Sequence, residues 1–320
     1  MDLEPTDDQN TLRDELRRFV SARVDHDARW AAAAQPGAVD RDLWRELGSM
    51  GVFGLLVAED AGGVGLGWAE AAIVFEELGR AAVPGPTIAT ALAATIDGLG
   101  LDGIVDGTAV VGLVEAADPL FVEHLDGLDA LLVLDGGSVT LADPPTGTTP
   151  VEHPLDPLTP LTMLGAIPTG RAVEGDDLAH QLRAGSALLG AAFQVGLGAA
   201  ALELGTDYAK DREQFGRVIG SFQAVKHILA DAAVGLEVAR AAVHAAAVAR
   251  DERAEGHRIA TARIVASRAA HTATEACIQV HGGMGYTWEL DAHLFLKRVL
   301  VLDQGPAPVH AAVGAVAASL

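Results

Sequence analysis

The sequence predicts a mainly α-helical protein with a small β-domain in its middle, and three observations carry that reading. Before about Pro86, apolar residues recur at three- and four-residue spacing: Leu12, Leu16, Phe19 and Val20, then Leu43, Leu47 and Met50. That is the period of a helix with one buried face. From about Thr108 to Gly170 the texture changes to short apolar runs, 109–114 and 130–134, bounded by Gly, Asp and Pro, which suits strands. Pro144, Pro145, Pro150, Pro154, Pro157 and Pro160 then exclude a long helix, because each removes an N–H and clashes with the preceding turn. After about Asp176 the helical pattern returns, with Phe222, Val225, Leu229 and Leu236 on one stripe and Lys226, Asp231 and Arg240 off it. The boundaries that follow are 1–100 for an N-terminal helical domain, 101–172 for a reduced β-domain and 173–320 for a C-terminal helical bundle.

Within the first region, Gly62-Gly63, Gly65 and the stretch Pro84-Gly85-Pro86 punctuate the helices. In the third, residues 184–202 are almost uninterrupted Ala, Gly, Leu and Val, broken by Ser186 and Gln194. Small residues dominate it over Leu, Ile and Phe, so the expectation is a buried core helix and no membrane span.

Composition narrows the class of partner. Half of the 320 residues are hydrophobic, enough for an extensive core. Forty-four acids against 22 bases leave a net charge of −22, which argues against nucleic acid or an anionic membrane, since phosphate binding needs a concentrated basic surface. Cys277 is the only cysteine, so no internal disulfide can form. The acidic start lacks the basic and apolar segments of a signal peptide, and the expected location is cytoplasmic.

Two stretches carry the strongest functional signal: Arg212 to His227 (REQFGRVIGSFQAVKH) and Gln279 to Arg298 (QVHGGMGYTWELDAHLFLKR). Both resemble the C-terminal signatures of the acyl-CoA dehydrogenases, flavoenzymes that desaturate acyl-CoA thioesters at Cα–Cβ. The N-terminal part is similar too, in Leu43-Trp44-Arg45-Glu46-Leu47, in Gly51-Val52-Phe53-Gly54, in residues 59–67 (EDAGGVGLG) and in Phe75-Glu76-Glu77-Leu78-Gly79-Arg80. The resemblance covers roughly residues 1–90 and 180–320 and fades between. It implies the family's order of helical domain, β-domain and four-helix bundle.

The resemblance implies further that Arg212 and Phe215 reach across a subunit interface to the pyrophosphate and adenine end of a neighbour's FAD. Gln223, Gln279 and the turn Gly282-Gly283 would serve the same cofactor. A guanidinium forks onto phosphate oxygens, and glycine lets the backbone approach a phosphate closely. The competing structural roles are a surface ion pair for Arg212, core packing for Phe215 and a helix C-cap at Gly282-Gly283. The other half of a flavin site is not visible. The family's Thr-Glu-Pro-x-x-Gly-Ser and Trp-Ile-Thr segments are absent, and Pro306 and Pro308 stand where hydrogen-bonding side chains are usual.

Desaturation also needs a carboxylate to take the α-proton. Gln304 occupies the position of the family's glutamate, and an amide is no general base near neutral pH. A sub-branch places its glutamate upstream of the Arg212 motif. Counting back lands near Ser186, with no acid between Asp177 and Glu203. Asp303, one residue out of register, is the remaining local acid, with a turn or helix cap as its alternative role. Cys277 reads as a buried helix residue, and His281, His293 and His310 are too scattered for a metal site. Glu289 and Asp291 read as packing and capping of the next helix. The glycines at 62–67 follow no strand, so they do not read as a dinucleotide loop.

A half-site for a neighbour's FAD beside a broken site of its own resembles the short, base-less subunit of heteromeric actinobacterial sterol-degrading members of the family, which form α2β2 heterotetramers. The expected partners are a second acyl-CoA dehydrogenase-like chain, an acyl-CoA and an electron-transferring flavoprotein. Two other readings stay open: a homomeric dehydrogenase with Asp303 as base, and a flavin-free scaffold that binds CoA thioesters.

Overall fold

The computed structural model describes residues 5–35, 39–254 and 256–319; residues 1–4, part of the acidic start, lie outside them. The first helices are α1 (Asp7–Arg23), α2 (His26–Ala33), α3 (Arg41–Ser49), α4 (Trp68–Arg80) and α5 (Thr87–Ala94). Thr6 starts α1 with a capping box, its hydroxyl accepting from Gln9 N while Gln9 returns a bond to Thr6 N. Leu16, Val20, Leu43 and Leu47 are buried and Leu12 and Phe19 are partly buried against them, so that spacing marks the core face; Met50, at the C-terminal cap of α3, is 38 % exposed and lies off it.

Six short strands follow: β1 (Val111–Glu115), β2 (Leu120–Glu123), β3 (Ala130–Asp135), β4 (Ser138–Ala142), β5 (Leu161–Leu164) and β6 (Gly170–Ala172). One sheet has the order β1-β3-β4-β6, parallel at β1–β3 and antiparallel elsewhere; β2 and β5 pair separately, Phe121 opposite Met163 and Glu123 opposite Leu161. Leu131, Leu132, Val133 and Leu134 are all buried, so β3 is covered on both faces. That is why it reads as a continuous apolar run without alternation.

The remaining chain is α6 (Leu178–Asp211), the hairpin β7 (Glu213–Gln214) and β8 (Arg217–Val218), then α7 (Gln223–Asp251), α8 (Arg258–His281), α9 (Ala292–Leu302) and α10 (Val309–Ala318). At 34 residues α6 is about 50 Å long. It and α7 are both long and apolar enough to cross a membrane by length and composition. Yet α6 runs through the middle of the molecule, packed against α4, α7 and α8 and buried over most of its apolar stretch.

The segment from Phe75 to Arg80 joins the two helical regions. Arg17 of α1 donates to both oxygens of the fully buried Glu77 (2.7 and 2.6 Å), and Arg240 of α7 holds Glu76 at 2.9 Å. Gly79 lies against the Phe193 carbonyl and Gly196 against that of Glu76, where an added Cβ would come within 2.0 and 1.9 Å. Two glycines thus let α4 and α6 touch backbone to backbone. The glycines at 62–67 also find an architectural use. Gly62 closes a 3-10 turn in the left-handed conformation, and the N-terminus of α4 is capped from α7 by Asp251, which accepts from Trp68 N and Ala69 N.

Asp291 departs from its expected role. It stands at the start of α9, but its side chain caps nothing there. It accepts instead from Arg29 through both Nε and Nη2 (3.1 and 2.6 Å) and from Trp30 Nε1 (3.0 Å), pinning α2 to the bundle.

Candidate flavin half-site and the 303–308 loop

Arg212 follows the last residue of α6, and the β7–β8 hairpin places Phe215 at its tip. Phe215 is 93 % exposed and holds a left-handed backbone with φ 54°, a conformation costly for a bulky residue. Its ring meets Phe222 edge-on at 6.2 Å, and the Arg217 guanidinium lies 4.1 Å over the Phe222 ring. Core packing therefore does not explain Phe215. Nor does an ion pair explain Arg212, whose exposed side chain has no salt-bridge partner among the described residues. Gln223, exposed, opens α7.

Gln279 is exposed near the end of α8, and Gly282 closes that helix at φ 62°. The C-cap role expected of Gly282 is present, and the space beside Gly282 and Gly283 is open, with no atom within 4 Å of where a Cβ would stand. Tyr208, one turn before Arg212, stacks on His281 at 4.2 Å. That contact brings the ends of α6 and α8 together, so Arg212 and the Gly282-Gly283 turn share one end of the bundle. Cys277 is buried there, its thiol pushed up to about 12 chiefly by burial, which makes it inert. No His, Cys, Asp and Glu group suited to a metal exists among the described residues.

The 303–308 loop is built differently. Asp303 follows α9, and both of its carboxylate oxygens are engaged. Oδ1 accepts from Gln194 Nε2 (2.7 Å); Oδ2 accepts from Ser267 Oγ (3.1 Å) and lies 2.7 Å from His271 Nε2. Burial raises its pKa, but the bonds from His271, Gln194 and Ser267 and the charge of Arg263 outweigh burial and hold it below the ordinary carboxylate value. Arg263, 2 % exposed, donates to Gln194 Oε1, to the Leu302 carbonyl and to the Ala307 carbonyl. Its own pKa falls to about 10 because of burial. An arginine and a glutamine from two bundle helices thus clamp the loop from beneath. Gln304 is exposed and borders a 360 Å³ cavity.

Sequence reasoning missed this clamp, and it missed the neighbouring polar cluster as well. Arg298 donates to Asp156 and to the Leu158 carbonyl, and Asp156 also accepts from Leu158 N and Thr159 Oγ1. One signal was available: Gln194 and Ser186 interrupt an otherwise apolar run, and lone polar groups in a buried helix demand partners. Ser186, where the sub-branch glutamate would stand, does line a cavity beneath the loop, but with a hydroxyl in place of a carboxylate.

Helical domain, small β-domain and helical bundle are the order that the resemblance to acyl-CoA dehydrogenases implies, with Arg212, Phe215 and the Gly282-Gly283 turn at one bundle end. Comparison with known proteins agrees. Residues 6–102 match the acyl-CoA dehydrogenase N-terminal domain and residues 179–305 the C-terminal domain. The chain is 37 % identical over 306 residues to acyl-CoA dehydrogenase IpdE2 of Mycobacterium tuberculosis, covering 92 % of this chain and 91 % of that protein. The chain belongs to the acyl-CoA dehydrogenase family, whose members bind FAD and act on CH–CH bonds. Among solved structures it resembles the ChsE4–ChsE5 complex of Mycobacterium tuberculosis (TM-score 0.83, 23 % identity, 99 % of this chain and 98 % of that one). It also resembles the Tcur3481–Tcur3483 steroid acyl-CoA dehydrogenase (0.82, 23 %, 98 % of each). At that identity these two show the fold.

Proposed function

We propose that this chain is a base-less subunit of a heteromeric, cytoplasmic acyl-CoA dehydrogenase, completing the FAD site of a longer partner chain in an α2β2 assembly. The observation that carries the reading is the contrast between the two regions. The Arg212 side chain has no ion-pair partner among the described residues and Phe215 is 93 % exposed, at the bundle end that also carries the open glycines Gly282 and Gly283, a cradle that fits the anionic pyrophosphate and flat adenine of FAD. The 303–308 loop is locked into its own chain. Bound FAD would supply the hydride acceptor for desaturation. Of this chain's residues, Arg212 would grip the pyrophosphate, the Gly282-Gly283 backbone would approach it, and Phe215, Gln223 and Gln279 would complete the cradle.

A base in this chain is disfavoured. Asp303 has both oxygens bonded and a lowered proton affinity, whereas a general base for an acidified α-C–H needs a desolvated carboxylate of raised pKa. Gln304, at the position of the family's glutamate, cannot take a proton. The glutamate and the remaining flavin contacts would come from the partner, and electrons would pass on to an electron-transferring flavoprotein.

The test is Arg212→Ala in the co-expressed complex. Losing a charged hydrogen-bonding contact of about 1.5–3 kcal/mol should raise the FAD dissociation constant at least tenfold, with the complex still assembled. Unchanged FAD affinity would return Arg212 to an ordinary surface role. A complex that never binds flavin would favour the CoA-thioester scaffold.

A further inference from the structure

The outer face of the β2–β5 ribbon is apolar where a solvent-facing side is ordinarily polar. Leu120, Val122, Thr162 and Leu164 turn inward and are buried, which seats the ribbon on the core. Alternation then turns Phe121 and Met163 outward as a directly opposed pair, 41 and 57 % exposed. Leu155, also exposed, borders the same hollow as Phe121. Single exposed apolar residues are common on any surface. An aromatic, a methionine and a leucine gathered at one place are not required by the fold, because the buried face of the ribbon is complete without them.

Charge singles out the same region. Residues 101–170 hold eleven acids and neither lysine nor arginine, half of the chain's net charge of −22. Asp118 stands two residues before β2, and Glu152 follows Val151, whose N–H donates to the Leu161 carbonyl of β5. Both acids are exposed and meet no lysine or arginine among the described residues; Glu152 has His153 at 4.0 Å. An apolar centre with a charged rim is the anatomy of a protein contact. The sign of the rim selects the occupant: a second copy carries the same −22, and nucleic acid and anionic lipid are repelled as well.

We propose that the outer face of the β2–β5 ribbon is a docking surface for a basic segment of another protein, which sets an apolar side chain against Phe121 and Met163 between lysines or arginines. The unbranched thioether of Met163 adapts to the shape of the anchor. The Phe121 ring offers its face to a cation, and Asp118 and Glu152 steer the approach. This surface is separate from the flavin half-site. β1, which touches β2, is held at Glu115 by Arg183 near the start of α6, whereas Arg212 follows the other end of that 34-residue helix. Either assignment can therefore fail without the other.

The experiment uses NMR of the full chain with methyl-labelled methionine. The sequence has four methionines, Met1, Met50, Met163 and Met284, so Met163 reports by its own resonance. The probe is the capped peptide Lys-Arg-Leu-Trp-Leu-Arg-Lys. It should shift the Met163 methyl saturably, with a Kd below about 1 mM as befits a small transient contact. Met50 should not respond, nor should Met284, which lies beside Tyr208 at the flavin half-site. Phe121→Ser should weaken binding about tenfold. Asp118→Lys combined with Glu152→Lys should do the same, most strongly at low salt. Thermal melts establish that the variants fold; should one fail, the other decides. Equal shifts from a peptide with glutamates in place of the cations, or with serines in place of the apolar residues, overturn the proposal. So do equal responses at Met50 and Met284, or no Met163 shift up to about 5 mM peptide. A Met163 shift caused only by phosphatidylcholine vesicles would assign the face to a membrane, and one caused by concentrating the chain alone would assign it to a second copy; either outcome also overturns it.

Discussion

An aspartate whose two oxygens are already hydrogen-bonded makes a good clamp and a poor base. Asp303→Asn keeps the shape but loses the charge that faces Arg263 and His271, so it should cost about 1–3 kcal/mol of stability. In a co-expressed complex at full flavin occupancy it should leave kcat nearly unchanged, while mutation of the partner's glutamate abolishes turnover. A hundredfold or larger fall in kcat, the usual penalty for a lost general base, would overturn the base-less reading. The same pair sets a pH dependence. The hydrogen bond to Asp303 raises the His271 pKa above its ordinary 6.5, against a smaller opposing effect of burial. Its contribution to stability is therefore complete below about pH 6.5 and is lost as pH rises through the raised value. Asp303, shifted downward, contributes above its ordinary 3.8 and loses that contribution as pH falls through its lowered value. Melting temperatures of wild type and His271→Gln should accordingly differ most between about pH 5 and 6.5 and converge toward pH 9. A difference that does not vary with pH would mean the His271–Asp303 contact carries no net charge interaction.

Among the elements, the close crossing of α4 and α6 and the β7–β8 hairpin respond oppositely to substitution. Gly196→Ala would drive a Cβ into the Glu76 carbonyl at 1.9 Å, where neither backbone can yield. It should cost about 3 kcal/mol, at the upper end of overpacking penalties, read as a shift in denaturation midpoint. Phe215→Gly should do the reverse. It removes a side chain that buries almost nothing and relieves a left-handed backbone, so the isolated chain should be unchanged or slightly more stable. In the complex it should weaken FAD retention. Stability that falls with Phe215→Gly would show that the ring packs within its own chain. Element legibility follows the same division. The helices with a buried stripe and the fully covered β3 were visible as periodicity or as an apolar run. The strands β2, β4 and β6 were not, because exposed residues such as Phe121 and Arg171 break their pattern and pairing partners lie far along the chain.

At the scale of the whole molecule, the arrangement predicts a chain that folds alone but does not hold flavin alone. Purified without its partner it should be colourless or carry well under one FAD per chain, and mixing with the partner should bring the complex to a full complement. A stoichiometric flavin spectrum from the single chain would revive the homomeric reading. The family, the order of its parts and the flavin signature were legible in the sequence because they rest on local features: periodicity, turn glycines and a fixed spacing around Arg212 and Gly282. The same local reading singled out Gln304 and Asp303 by register, and found Ser186 and Gln194 as interruptions of an apolar helix. What it could not supply was which groups are paired. Asp303 meets residues 32, 36 and 109 positions away, and Arg298 is consumed by Asp156 at a separation of 142. Only the tertiary structure decides that the Asp303 carboxylate is occupied while the Arg212 side chain is not, because hydrogen bonding and desolvation depend on neighbours in space, which spacing along the chain does not encode.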